Sequence, residues 1–144
     1  MPIIGEAITV LASVDKVFSY LSDPNNLPEF WPSLVKIMDV HPLPDGGYGA
    51  KYEYKMVGRL FKGSGEYADI IPNKSFAIRT KGGIHSVLKW TFRTRDNRTR
   101  ITLTVDYKIP IPLLGKITET IVMIMNKQEL SLMMSNLRAR FLIT

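Results

Sequence analysis

The sequence predicts an α+β fold in which an antiparallel β-meander is covered by one long C-terminal helix. Between Leu34 and Ile109 the hydrophobic period is two, and Gly, Pro or Asn interrupts it about every ten residues. From Lys116 to Phe141 there is neither Pro nor Gly, and apolar residues recur at helical spacing. No gap between consecutive strands leaves room for the crossover helices of a parallel sheet.

The chain has 144 residues, which suits one domain spanning 1–144, and a chain of that size buries a sizeable core without staples. Its 45% hydrophobic and 22% charged content is that of an ordinary globular protein. The absence of Cys rules out disulfides, thiolate chemistry and Cys-ligated metal. The start MPIIGEAITV lacks the basic region and long apolar core of a signal peptide, so the expected location is cytoplasmic. A net charge of +6, from 19 Lys+Arg against 13 Asp+Glu, weakly favours acidic partners such as anionic lipid, nucleic acid or a carboxylated ligand.

Residues Ile3 to Ala12 alternate as a first strand. Ser13 then caps a short helix whose apolar face is Val14, Val17, Phe18 and Leu21, and Asp23-Pro24 stops it. Asn25 to Ser33 carries two further prolines and makes only a turn or two of helix; its Phe30-Trp31 pair must pack inward. The later strands are predicted over Leu34–His41, Tyr48–Val57, Phe61–Ile71, Ser75–Lys81, Ile84–Arg95 and Arg98–Ile109. With Asp96-Asn97 as a two-residue loop, Phe92 faces Ile101, Trp90 faces Leu103, Leu88 faces Val105 and Ser86 faces Tyr107. The apolar bulk then lies on one side, with Arg93, Arg95, Arg98 and Arg100 on the other. Such a sheet needs a cover, and the long helix is expected to be its sole supplier.

Tyr52, Tyr54 and Met56 share a face. In the following strand Ile70, Ala68 and Glu66 are expected to point inward together, with Gly63 and Gly65 as marks of a bulge. The C-terminal helix would reach roughly 39 Å. One apolar stripe holds Met123, Leu130, Met133, Leu137 and Phe141; a second holds Ile117, Ile121, Ile124 and Leu132. The unbroken apolar run Ile121 to Met125 is far short of the about 20 residues a membrane span needs, so a core, a bound apolar molecule or a partner chain must cover the second stripe.

The chain resembles the START-domain and birch-pollen-allergen (SRPBCC) superfamily, and within it the polyketide cyclase/dehydrase and lipid transport group. The matching residues are Val14 to Phe18, then Leu21-Ser22-Asp23-Pro24-Asn25-Asn26-Leu27-Pro28-Glu29-Phe30-Trp31-Pro32. Gly49, Tyr67 to Pro72, Trp90-Thr91-Phe92 and Asn136-Leu137-Arg138 complete them. The resemblance implies a helix-grip fold: a curved meander sheet of about seven strands wraps the long helix, with two short helices after the first strand and an apolar cavity within. It also implies binding of lipids, quinones, polyketides or similar molecules, with cyclisation or dehydration in a minority of members.

The pocket residues expected on this basis are Phe30 and Trp31, then Tyr52, Tyr54, Met56 and Glu66, then Leu88, Trp90, Phe92, Leu103 and Tyr107, and from the helix Ile117, Ile121, Met123 and Asn126. Core filling is the bland role for any single ring, and for the helix methionines it is the commoner one. Tyr and Trp bring polar groups that want partners, which suits a cavity better than a dry core. Glu66 is the one candidate acid, for catalysis or for anchoring a ligand. The two His residues, His41 and His85, are too few and too isolated for a metal site, and no HExxH, GxSxG, Walker A or GxGxxG occurs. A solvated outer face is the commoner explanation of the hairpin arginines; an anionic membrane surface is the better alternative, since base-stacking aromatics are missing from that face.

The expected function is therefore binding of a small hydrophobic ligand, with no cofactor, no metal and no nucleic acid. The alternatives are a cyclase/dehydratase using the same cavity, and an interaction module docking through the second helical stripe. Oligomeric state stays open.

Overall fold

The computed structural model describes residues 3–56, 58–82, 85–108 and 119–141, with side chains in the last helix described from 126 onward. The strands are β1 (Ile3–Val10), β2 (Leu34–Pro42), β3 (Tyr48–Met56), β4 (Arg59–Ile71), β5 (Ser75–Lys81), β6 (His85–Arg95) and β7 (Arg98–Lys108). Helix α1 (Val14–Leu21), a 3-10 turn (Pro24–Asn26) and α2 (Leu27–Phe30) lie between β1 and β2, and α3 (Glu119–Arg140) follows β7. The strands form one antiparallel 7-stranded sheet in the order β1-β7-β6-β5-β4-β3-β2. This is the helix-grip arrangement.

The β6–β7 hairpin has the expected register: Phe92 opposite Ile101, Trp90 opposite Leu103, Leu88 opposite Val105, Ser86 opposite Tyr107. Asp96 and Asn97 both adopt left-handed backbone (φ 50° and 65°), the signature of a type I′ turn. β1 ends at Val10 rather than Ala12, because the chain turns there into the extended Ser13 cap. β4 starts earlier than expected: Gly58 (φ 71°) tightens the preceding turn, so Met56 already pairs with Arg59.

The expected face of β4 is wrong over most of its length. Phe61 and Tyr67 are buried and Glu66 is exposed. A β-bulge at Asp69 (φ 54°), where the β4–β5 register shifts between Ala68 and Ile71, inserts one residue. Ile70 therefore packs inward although it is out of phase with Tyr67. Counting back from Ile70 without the bulge put Glu66 inside. Asp69 is exposed and pairs with Arg79 at 2.6 Å; Arg79 lies opposite Glu66 in the ladder, so the two acids share the outer face.

The long helix does not cover the sheet alone. Phe18 of α1 packs edge-on against Phe76 and Phe92, at 5.7 and 5.6 Å between centroids. Leu130, Met133, Met134 and Leu137 of α3 are buried, while Leu132 on its far side is 47% exposed. Polar contacts fix α3 along its length. Ser131 donates to Glu6 (2.9 Å), the Ser33 N–H donates to Glu129 (2.9 Å), and Asn136 donates to the Phe30 carbonyl (3.0 Å). At its end Arg140 reaches Glu29 (3.1 Å) and covers the Tyr20 ring, whose hydroxyl also donates to Glu29. Lys116 to Thr118, and with them Ile117, lie outside the described residues.

Candidate functional site

The inner face of the sheet divides into two parts. At one end Phe30, Phe76, Trp90 and Phe92 interlock with Phe18. Phe30 meets Trp90 edge-on (6.0 Å, 88°), and Phe76 stacks on Trp90 (6.3 Å, 28°). Ile101 and Leu103 are fully buried beneath them. At the other end β4, β5 and β6 present smaller side chains, among them Gly65, Thr80 and Ser86. Alternation from buried Tyr67 brings Gly65 and Gly63 to the inner face of β4. They lie opposite Ala50 and Tyr52 of β3, and Thr80 of β5 lies opposite Gly65. Neither glycine marks a bulge, since the β3–β4 register runs unbroken from Gly49–Glu66 to Met56–Arg59.

Where these side chains are missing there is a cavity of about 110 Å³. Trp31 and Leu34 border it from the α2–β2 side, and Tyr52, Tyr54 and Met56 from β3. Leu88 and Tyr107 border it from the sheet centre, and Asn126, Glu129 and Met133 from α3. A Cβ built on Gly65 meets its nearest neighbours, the Arg79 carbonyl and the Ile78 and Thr80 methyls, at 3.5–3.6 Å, so a side chain there would make ordinary contacts and point on toward the cavity that Gly65 borders. One built on Gly63 comes within 2.7 Å of the Lys81 and Gly82 carbonyls and of the Tyr52 hydroxyl. Gly63 thus makes close strand and phenol approach feasible, whereas Gly65 makes room. Tyr48 also borders the cavity while remaining 41% exposed, which locates a rim beside the β2–β3 edge.

The walls are apolar with a polar band. Thr80 and Ser86 share a hydrogen bond, and a Tyr52–Thr80 bond lies beside it. Burial pushes the Tyr52 phenol up from its ordinary pKa. Burial first, and then the charge of Glu129, push up Tyr54. Tyr67 is also raised by burial, and its hydroxyl donates to the Leu21 carbonyl (3.0 Å). At the cavity the Tyr107 hydroxyl has no partner among the described residues, and Trp31 Nε1 has only the Tyr54 hydroxyl as a loose one. Trp90 Nε1 is likewise unpartnered, but Trp90 sits in the ring cluster and does not border the cavity. No group of three or more His, Asp or Glu among the described residues is placed to hold a metal ion.

Residues 1–142 match the family of polyketide cyclases/dehydrases and lipid transport proteins. The chain belongs to that family. A protein of Thermus thermophilus has the same fold with a TM-score of 0.82 at 16% identity, over 98% of this chain and 97% of its own. A START superfamily protein of Mycobacterium smegmatis superimposes with 0.81 at 13%, covering 96% of each chain. The Zhui aromatase/cyclase of a Streptomyces species gives 0.73 at 20%, over 93% of this chain and 92% of its own. Identities this low speak to the fold alone. No curated protein matches the chain in sequence.

Of the residues expected to form the pocket, Trp31, Tyr52, Tyr54, Met56, Leu88, Tyr107 and Asn126 border the cavity of this family member. Phe30, Trp90, Phe92 and Leu103 lie instead in solid core. Glu66 is on the outside, so it is neither beside Tyr54 nor available to a ligand in the cavity. Ile117 lies outside the described residues, as do the side chains of Ile121 and Met123. Sequence reasoning missed Gly65, Tyr67, Thr80, Ser86 and Glu129. For Thr80 and Ser86 the signal was there, since each is in phase with buried neighbours on its own strand. No helix among the described residues is long and apolar enough to cross a membrane.

Proposed function

We propose that this protein binds a small hydrophobic molecule in the cavity between the sheet and α3, in a transport or sequestration role. The observation that carries this is the hollow of about 110 Å³, bordered by Trp31, Tyr54 and Met133 and, where a side chain is lacking, by Gly65. An apolar cavity of about 150 Å³ takes up benzene, so a hollow of about 110 Å³ encloses only part of a guest and the rest extends past Tyr48. Binding draws on apolar surface removed from water, at roughly 25 cal/mol per Å². The cyclase/dehydratase alternative has lost Glu66, the carboxylate on which it rested.

The test is mass spectrometry of organic extracts from natively purified protein, with a Gly65→Leu variant as control. A small apolar compound should accompany the wild type. The variant, whose added side chain occupies the cavity, should carry about ten-fold less of it while unfolding at the same or higher denaturant concentration. An extract free of such compounds, together with no uptake of added quinones, sterols or fatty acids, sinks the proposal. Equal loading of the two proteins sinks the assignment to this cavity.

A further inference from the structure

We propose that the ligand is an uncharged carbonyl compound whose oxygen is gripped by the Tyr107 hydroxyl, with Glu129 excluding carboxylates. This rests on the cavity-binding reading above and names the chemistry that the cavity selects.

Tyr107 is 3% exposed, borders the cavity, and has a hydroxyl with no hydrogen-bond partner among the described residues. Buried hydroxyls of native proteins are nearly always paired, so a lone one at the wall of a hollow indicates what the hollow is shaped to receive. Its cross-strand neighbour Ser86 is engaged with Thr80 and does not bond to it. A second donor at the cavity, Trp31 Nε1, has only the Tyr54 hydroxyl as a loose partner. Both atoms are therefore satisfied at once by a guest that presents acceptor oxygens. A purely aliphatic guest would leave the Tyr107 hydroxyl unpaired.

Charge narrows the class further. No Lys, Arg or His is among the described residues bordering the cavity, and the one ionisable carboxyl there is Glu129. That carboxylate is held in place by the Ser33 N–H at 2.9 Å, so it cannot swing away from a bound anion. A fatty acid or aryl carboxylate would lose its hydration, meet no counter-ion among the described residues and face a fixed like charge. A ketone, ester or quinone oxygen loses little on entry and gains the Tyr107 hydrogen bond.

A matched set sharing one ring system separates these effects: 2-acetylnaphthalene, 2-ethylnaphthalene and 2-naphthoate, compared by equilibrium dialysis at neutral pH. The ketone should bind about ten-fold more tightly than the carboxylate and about three- to ten-fold more tightly than the hydrocarbon. Tyr107→Phe should bring the ketone down to the hydrocarbon's affinity while leaving the hydrocarbon unchanged. Glu129→Gln, which keeps an acceptor for the Ser33 N–H, should strengthen naphthoate binding alone. The assignment is overturned if naphthoate matches the ketone, or if Tyr107→Phe leaves the ketone-to-hydrocarbon ratio as it was. Failure of all three compounds to bind is a different result, and it removes the cavity-binding reading as well.

Discussion

The two ends of the inner face are built on the same strands with the same alternation, yet one is solid and the other hollow. At the solid end the inward positions of β5 and β6 are Phe76, Trp90 and Phe92, roofed by Phe18 and Phe30. At the hollow end the same two strands offer Thr80 and Ser86, and β4 offers glycine at 63 and 65. The aromatic types differ as well. Phenylalanines dominate the packed cluster, and tyrosines with hydroxyls to satisfy surround the cavity. The difference teaches that period-two patterning settles which face is dry, whereas residue size along that face settles whether it is filled.

The largest expected break in the comparison is Trp90→Ala, which should cost about 3–5 kcal/mol in urea unfolding, because a fully buried ring leaves an uncollapsed void. Tyr52→Ala, at the edge of space already empty, should cost less than half as much. Equal losses would mean that the hollow end is packed after all. Alkaline pH comes next. Tyr54 and Tyr67 have phenol pKa values raised by burial, so the folded state holds their protons after the unfolded chain has released them. Their contribution is fully present below about pH 10 and is lost above it, at about 1.4 kcal/mol per pH unit for each phenol. Denaturation midpoints should fall accordingly, and less steeply in Tyr67→Phe.

A finer comparison sets the two glycines against each other. Gly63→Ala forces a methyl against two carbonyls and the Tyr52 hydroxyl, and should cost about 1–3 kcal/mol. Gly65→Ala meets only ordinary contacts and should stay within about 0.5 kcal/mol. The smallest effect is expected at the surface clasp: Glu29→Gln weakens the Arg140 and Tyr20 contacts, both partly exposed, by at most about 1 kcal/mol. A loss well beyond that would make the clasp a main tether of α3.

Much of the fold was legible because its signals are local. Asp96-Asn97 dictates a tight turn, and with it the register of every pair from Arg95–Arg98 to His85–Lys108. Asp23-Pro24 stops α1, and the Pro-rich stretch after it makes only the two short turns expected. What stayed hidden depends on neighbours that are remote in sequence. The bulge at Asp69 is defined by β5, and without it the inward count on β4 comes out reversed, which is how Glu66 was placed inside. In the sequence Gly65 reads as the mark of a bulge, because a glycine's spacing value appears only once Ala50 and Thr80 are seen beside it. Trp90 and Trp31 look alike in the sequence, and only the roof of α1 and α2 separates filler from wall.

The pairing of β1 with β7, which sets Ile3 against Asp106, has a consequence for how the chain matures. β1 has no ladder partner until β7 has been made, after all five intervening strands, and α3, which packs on β1, comes later still. Nascent β1 must therefore wait with Ile4 and Ile8 uncovered. Closure of the sheet is a late, non-local event that should make folding slow, and chaperone demand during synthesis should be concentrated on β1.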